Sequence, residues 1–269
     1  MTGRMRQKER LVSTGRLRYW EGGATDSPAV LLLHSAYGDA EFSFRPVWEE
    51  LAVRCRVIAP DMPGFGASEA PRGMDLPTLA RALRELLGQL GVPRATVVGN
   101  SFGVSAAIGL ADFHAEVVER LVLVNGTTLP TFPALLRRAV ALPVLGRVIS
   151  ATFYRSIYGP KAIRSAFPHA SPEALAGILS RVGRAGPANF RTMKSCILET
   201  PVKKPSIAAP ATLLWGVDDG FTPLEVAHRL SKTLPGATLI EIQRAGHLPQ
   251  WDRPAEFLER LWGATDESV

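Results

Sequence analysis

The sequence predicts an α/β fold with a mostly parallel central sheet, flanking helices and an inserted helical lid. Three observations carry this reading. Short apolar runs alternate with helical patterns along most of the chain, as strands joined by crossover helices do. The alternation stops between 127 and 205, where helical patterns stand between two strong strand runs; so long a crossover is expected to be a lid. At 97–106 the run VVGNSFGVSA passes from a strand straight into a helix, through a serine framed by glycines.

Taken in order, LVSTGRLRYWE (11–21) alternates and is expected to form an antiparallel hairpin. AVLLLH (29–34) is continuously apolar, the pattern of a strand buried on both faces. RVIAPD (56–61), ATVVGN (95–100), RLVLVN (120–125), ATLLWG (211–216) and ATLIEI (237–242) repeat that pattern. Helices are expected at 46–53, 76–90, 102–113, 223–234 and 254–262. Inside the insertion, SPEALAGILSRVGR offers Ser171 as N-cap and Pro172 at the first helical position, with Leu175, Ile178, Leu179 and Val182 on one face. The division that follows is 1–126 with 206–269 for the sheet core, and 127–205 for the lid.

Composition narrows the function classes. A chain of 269 residues at 46% hydrophobic can bury a large core in one domain with an insertion. The N-terminus MTGRMRQKER is basic but has no apolar run after it, and nowhere do eighteen apolar residues follow one another. A soluble, cytoplasmic protein with no membrane partner is therefore expected. Cys55 and Cys196 lie far apart and read as separate thiols. The net charge of +6 is not arranged as a basic run interleaved with aromatics, so nucleic acid is not an expected ligand. His114, His169 and His228 have no metal-ligand spacing, and neither metal nor cofactor is expected.

The chemistry centres on Ser101. A G-x-S-x-G frame between a strand and a helix makes a turn too sharp for flanking side chains, and it lifts the serine Oγ above the carboxyl edge of the sheet. A hydroxyl needs a base, and the base needs a carboxylate to hold it. VDDGFTP, after 211–216, offers Asp218 and Asp219; QRAGHLPQWDRP, after 237–242, offers His247. Each lies just past a strand's carboxyl end, where open α/β sheets build their sites.

With LLLHSAYGDAE, DMPGFGASE, WGVDDGFTP and AGHLPQWDRPAEF added to the elbow, the chain resembles the α/β-hydrolase superfamily from about Val12 to Trp262. It looks nearest to the meta-cleavage-product hydrolases and enol-lactonase-like members. The resemblance implies Ser101 as nucleophile, His247 as base and Asp219 as the acid, with Asp218 a solvated or loop-shaping neighbour. It also implies an oxyanion hole made by the backbone N–H groups of Phe102 and Ala36, and a structural role for His34. A serine at 101 sets the chain apart from haloalkane dehalogenases and epoxide hydrolases, which use an aspartate nucleophile. Two positions depart from common patterns: Ser35 stands where many relatives have glycine, and Val104 where carbon–carbon hydrolases usually have another glycine.

Between 127 and 205 there are twelve Lys or Arg against Glu173 and Glu199, so the insertion carries about +10 and the rest of the chain about −4. One or two cations turned inward would suit a carboxylate, a phosphate or an acyl group on an acidic carrier protein. Arg191 and Lys194 are the candidates, with Ser35, Tyr37 and Trp251 as further substrate contacts. Phe132, Leu136, Phe153, Tyr154, Ile157, Phe167 and Phe190 are expected to supply an apolar wall. The expected function is hydrolysis of a small, largely apolar ester, lactone or thioester through an acyl-enzyme. The alternatives are carbon–carbon hydrolysis of 2-hydroxy-6-oxodienoates, and ligand binding with little turnover.

Overall fold

The computed structural model describes residues 3–130, 133–200, 205–234 and 236–266. Its sheet has eight strands in the order β1-β2-β4-β3-β5-β6-β7-β8. β1 (Arg6–Val12) and β2 (Gly15–Gly22) form the hairpin, with Val12 opposite Gly15, and β2 runs antiparallel to β4 (Arg56–Pro60). From β4 onward all pairings are parallel, through β3 (Ala29–Leu33), β5 (Ala95–Asn100), β6 (Val118–Val124), β7 (Ala211–Gly216) and β8 (Thr238–Ile242).

The apolar runs are continuous because both faces of the sheet are covered. In β3, Val30 and Leu32 face one core, packed with Phe44, Val47, Trp48 and Leu51 of α1 (Ala40–Arg54) and Phe257 and Leu261 of α10 (Pro254–Asp266). Leu31 and Leu33 face the other core, against α2 (Leu76–Gln89) and α3 (Phe102–Phe113). Successive strand residues point to opposite faces, so one five-residue strand feeds two cores. α8 (Leu224–Ser231) and the short α9 (Pro249–Asp252) complete the flanks. Four helices fill the stretch between β6 and β7: α4 (Ala134–Ala141), α5 (Pro143–Tyr158), α6 (Pro160–Ala166) and α7 (Pro172–Glu199). Ser171 caps α7 by accepting the Ala174 N–H at 3.2 Å, with Pro172 at the first turn as expected. Ile178 and Val182 are buried on its inner face.

The first helix is longer than the sequence indicates. It starts at Asp39, whose carboxylate accepts the Phe42 N–H at 2.8 Å, and it carries Pro46 in its interior rather than at its start. A proline there has no N–H for the carbonyl four residues back, that of Phe42. The indole Nε1–H of Trp251 supplies the missing donor, at 2.8 Å from Phe42 O.

Candidate active site

Ser101 joins β5 to α3 with φ 56° and ψ −113°, a conformation that costs a non-glycine residue about 1–3 kcal/mol. Its N–H donates to Val124 O at 2.9 Å, tying the turn to the neighbouring strand, and its side chain makes no capping bond. The glycines around it are required by space. A Cβ on Gly103 would lie 2.0 Å from Leu33 O, and one on Gly99 would lie 2.3 Å from Gly103 O. Phe102 is the first helical residue, so its N–H is one of the donors that a helix start leaves unpaired.

The acid and the base meet from the ends of β7 and β8. His247 Nδ1 lies 2.7 Å from Asp219 Oδ2, and both side chains are fully buried. Asp219 Oδ2 also accepts from Asn125 Nδ2 at 2.8 Å and Thr222 Oγ1 at 2.8 Å, while Oδ1 accepts the N–H groups of Phe221 and Thr222 at 2.8 and 3.0 Å. Burial alone would raise the Asp219 carboxyl, but the charge and hydrogen bond of His247, with the Thr222 and Asn125 donors, outweigh it and hold the carboxyl below its ordinary range. An ionised Asp219 accepts only, so Nδ1 of His247 carries a hydrogen, and in the neutral form of the ring the lone pair is then on Nε2. That Nε2 is buried and has no hydrogen-bond partner among the described residues. Asn100, next to Ser101, donates through Nδ2 to His247 O at 3.0 Å and so draws the histidine loop to the elbow. Asp218 points elsewhere, pairing with His169 at 2.8 Å at the surface.

The loop after β3 is set by His34. Its Nε2 accepts the Met62 N–H at 2.9 Å, which leaves Nδ1–H to donate to Ser35 O at 2.8 Å. In a trans peptide the N–H of Ala36 points opposite to that carbonyl, so the His34 ring fixes the direction of the Ala36 N–H. The carbonyl of Ala36 in turn accepts from Tyr158 Oη at 3.1 Å and Asn189 Nδ2 at 2.9 Å, both from the insertion.

Ala36, Tyr37, Ser101 and Phe102 line one cavity of about 230 Å³, closed by Leu129, Phe153, Ile157, Met193, Ile197, Phe221 and Thr222. Tyr37 packs its ring against His247, with centroids 5.5 Å apart. Among the described residues lining this cavity there is no Lys, Arg, Asp or Glu.

The other expected substrate contacts, Ser35, Arg191, Lys194 and Trp251, are not among the described residues lining this cavity. Ser35 is buried, bonded through its N–H to Ser43 Oγ at 3.1 Å, and does not line the cavity. It is not among the positive-φ residues, which is why serine is accommodated where glycine is common. Arg191 is exposed and borders a separate pocket beside Gly64 and Arg72. Lys194 sits in a groove between the inserted helices, with Nζ 3.4 Å from Ser150 Oγ. Trp251 is committed to Phe42. Of the expected apolar wall, Phe153 and Ile157 line the cavity, whereas Tyr154 and Phe190 pack on each other within the insertion. Phe132, Lys203 and Lys204 lie outside the described residues.

Asn125 and Thr222 are site residues that the sequence reading misses. Asn125, with φ 41°, bonds to both the N–H and the carbonyl of Gly216 as well as to Asp219, so it joins β6 to the acid loop. The insertion also grips both loops. At the C-terminal end of α6, the carbonyls of Ser165 and Ala166 accept the N–H groups of Gly220 and His247 at 3.1 and 2.9 Å, satisfying acceptors that a helix end leaves open.

Comparison with known proteins agrees with this architecture. A protein of Mycobacterium tuberculosis without a described activity is 31% identical over 259 residues, covering 88% of this chain and 74% of that protein. A 2-hydroxy-6-oxononadienedioate/2-hydroxy-6-oxononatrienedioate hydrolase of Paraburkholderia phymatum is 30% identical over 262 residues, covering 91% of this chain and 89% of that protein. A thermophilic esterase from Thermogutta terrifontis, solved with malate bound, superposes with a TM-score of 0.80 at 22% identity, over 97% of this chain and 98% of that one, a likeness of fold. The alpha/beta hydrolase family model matches residues 30–260, and the chain belongs to that family of hydrolases.

Proposed function

We propose that the chain is a serine hydrolase of small, largely apolar, uncharged esters or thioesters, working through an acyl-enzyme. The observation that carries the reading is a buried imidazole whose Nδ1–H is committed to Asp219 and whose Nε2 is left free, tied by its backbone to the residue before a strained serine. Ser101 Oγ attacks the acyl carbon while its proton passes to His247 Nε2. The N–H groups of Phe102 and Ala36 meet the oxyanion, and Asp219 balances the imidazolium. His247 then protonates the leaving group, and the same base activates the water that releases the acid.

Two observations choose among the alternatives. The dienedioate substrate named for the Paraburkholderia relative carries carboxylates, and among the described residues lining the cavity none is a Lys or Arg to pair with them. That favours the neutral ester. A binding role would require neither a strained Ser101 nor five hydrogen bonds on Asp219. Cys55 and Cys196 are buried and stand outside any disulfide, which fits a cytoplasmic setting.

A fluorophosphonate probe followed by peptide mass mapping tests the nucleophile: the label is expected on Ser101 and absent from Ser101→Ala. A panel of neutral and anionic esters with matched acyl groups tests the class. The neutral members are expected to give the higher kcat/KM, with little dependence on ionic strength. An unlabelled Ser101, or a preference for the anion, overturns the reading.

A further inference from the structure

We propose that the tip formed by α4, Leu142 and the first turns of α5 docks onto an anionic lipid surface. Leu135 (80% exposed), Leu142 (54%), Val144 (76%), Leu145 (46%) and Val148 (58%) gather there, while the other exposed large apolar residues, Leu11, Val53 and Trp251, belong to distant parts of the chain. Val144, Leu145 and Val148 fall at helical spacing on one face of α5.

The charge on the stretch of chain that carries this tip has one sign. From 127 to 172 there is no Asp or Glu, whereas Arg138, Arg147, Arg155, Lys161 and Arg164 are all exposed. Arg137 is already spent on the carbonyls at the end of α7. Aliphatic side chains flanked by unopposed cations are the composition of a helix that lies in a bilayer interface, with the apolar side chains among the acyl chains and the cations at anionic headgroups. Such a surface needs no spanning helix, and among the described residues none is long and apolar enough to cross a membrane. The expectation of no membrane partner rested on spans, which bear on crossing and not on docking.

An apolar groove of about 370 Å³ adjoins the tip, lined by Val140, Val148, Ile149, Phe153 and Leu198. Phe153 lines both this groove and the cavity at Ser101, so its ring is the shared wall between the docking face and the triad. Docking itself stands on the surface alone, whatever the chemistry at Ser101.

Vesicle sedimentation of the full chain tests it, with phosphatidylcholine alone and with an equimolar phosphatidylcholine–phosphatidylglycerol mixture. Binding is expected only with the mixture, and it should weaken as salt is raised. Arg138→Gln, Arg147→Gln and Arg155→Gln together should lower partitioning on the order of a hundredfold. Leu135→Ser, Leu142→Ser and Val144→Ser together should abolish it, while turnover of a short soluble ester stays at the wild-type level and certifies the fold. Equal binding to both vesicles, or full binding by the serine triple variant, overturns the proposal. So does a dimer in solution that the serine substitutions dissociate, which would make the tip a contact between copies of the chain.

Discussion

His34 commits both ring nitrogens to backbone, one as donor to Ser35 O and one as acceptor from Met62 N–H, so a second ring proton has no place to go. Burial pushes its pKa below the ordinary histidine range, with the charge of Asp61 pulling weakly the other way. The unfolded chain takes up a proton at this residue near pH 6.5, whereas the folded chain resists. The stabilisation is therefore complete above about pH 6.5 and is lost as pH falls from there toward the lowered folded value, by at most about 1.4 kcal/mol per pH unit. In urea unfolding between pH 5 and 7, His34→Gln is expected to be less stable than wild type but to show a flatter dependence on pH. An equal slope would place the acid sensitivity elsewhere. The same variant frees the Ser35–Ala36 peptide, and a fall in kcat on the order of 10² is expected for the loss of one oxyanion donor. Ser101, Asp219 and His247 were legible because each follows an apolar run at a position where a strand must end. Asn125 was not, since an asparagine closing RLVLVN reads as a turn residue, and its hold on Asp219 depends on how β6 and β7 come to lie side by side. Thr222 was hidden for the same reason: its hydroxyl matters through a carboxylate and an imidazole that only the fold brings to it.

The parallel strands came through within a residue or two, because a strand buried on both faces is almost wholly apolar until its end, whereas the polar, exposed β1 starts at Arg6, ahead of the expected hairpin at 11–21. Helix α1 did not, and the cause is Pro46. Proline favours a helix's first turn, so the helix was expected to start there; the actual start is the Asp39 cap, and the orphaned Phe42 carbonyl is satisfied from a distant element. Trp251 is thus explained by α1 and not by a substrate. Trp251→Phe keeps a ring against Phe42, whose centroid lies 5.2 Å from that of the indole, but deletes the donor. A loss of about 1–3 kcal/mol is expected in equilibrium unfolding, the cost of one unsatisfied buried acceptor, with KM for small esters unchanged. A large rise in KM with unaltered stability would return Trp251 to the site. The charge of the insertion was legible as a number, but its direction was not: Arg181 turns to Asp39 at 2.9 Å and Arg137 caps α7, so neither reaches the cavity.

Across the whole molecule, the sheet delivers the ends of its six parallel strands to one edge, and the insertion is fastened to the loops that follow β3, β7 and β8. Ser165 and Ala166 hold the backbones of Gly220 and His247, and His169 holds Asp218, so the far end of α6 is part of the frame around the base. α5 reaches the loop after β3 at its last residue, where Tyr158 Oη donates to Ala36 O at 3.1 Å. The insertion is therefore anchored along 158–169, and 134–157 is the arm beyond that anchor. As a cassette it does not divide where the sequence suggests. Exchanging 133–157 with a relative's segment is expected to change KM and acyl-length preference at constant kcat for the shortest ester, measurable in a substrate series. Exchanging the stretch through 199 takes the support of His247 along with the cover, and kcat should fall for every substrate alike. For anyone redesigning specificity, Tyr158 marks the border: before it, a residue shapes what enters, and from it onward, a residue also helps to hold the loops around Ser101 and His247.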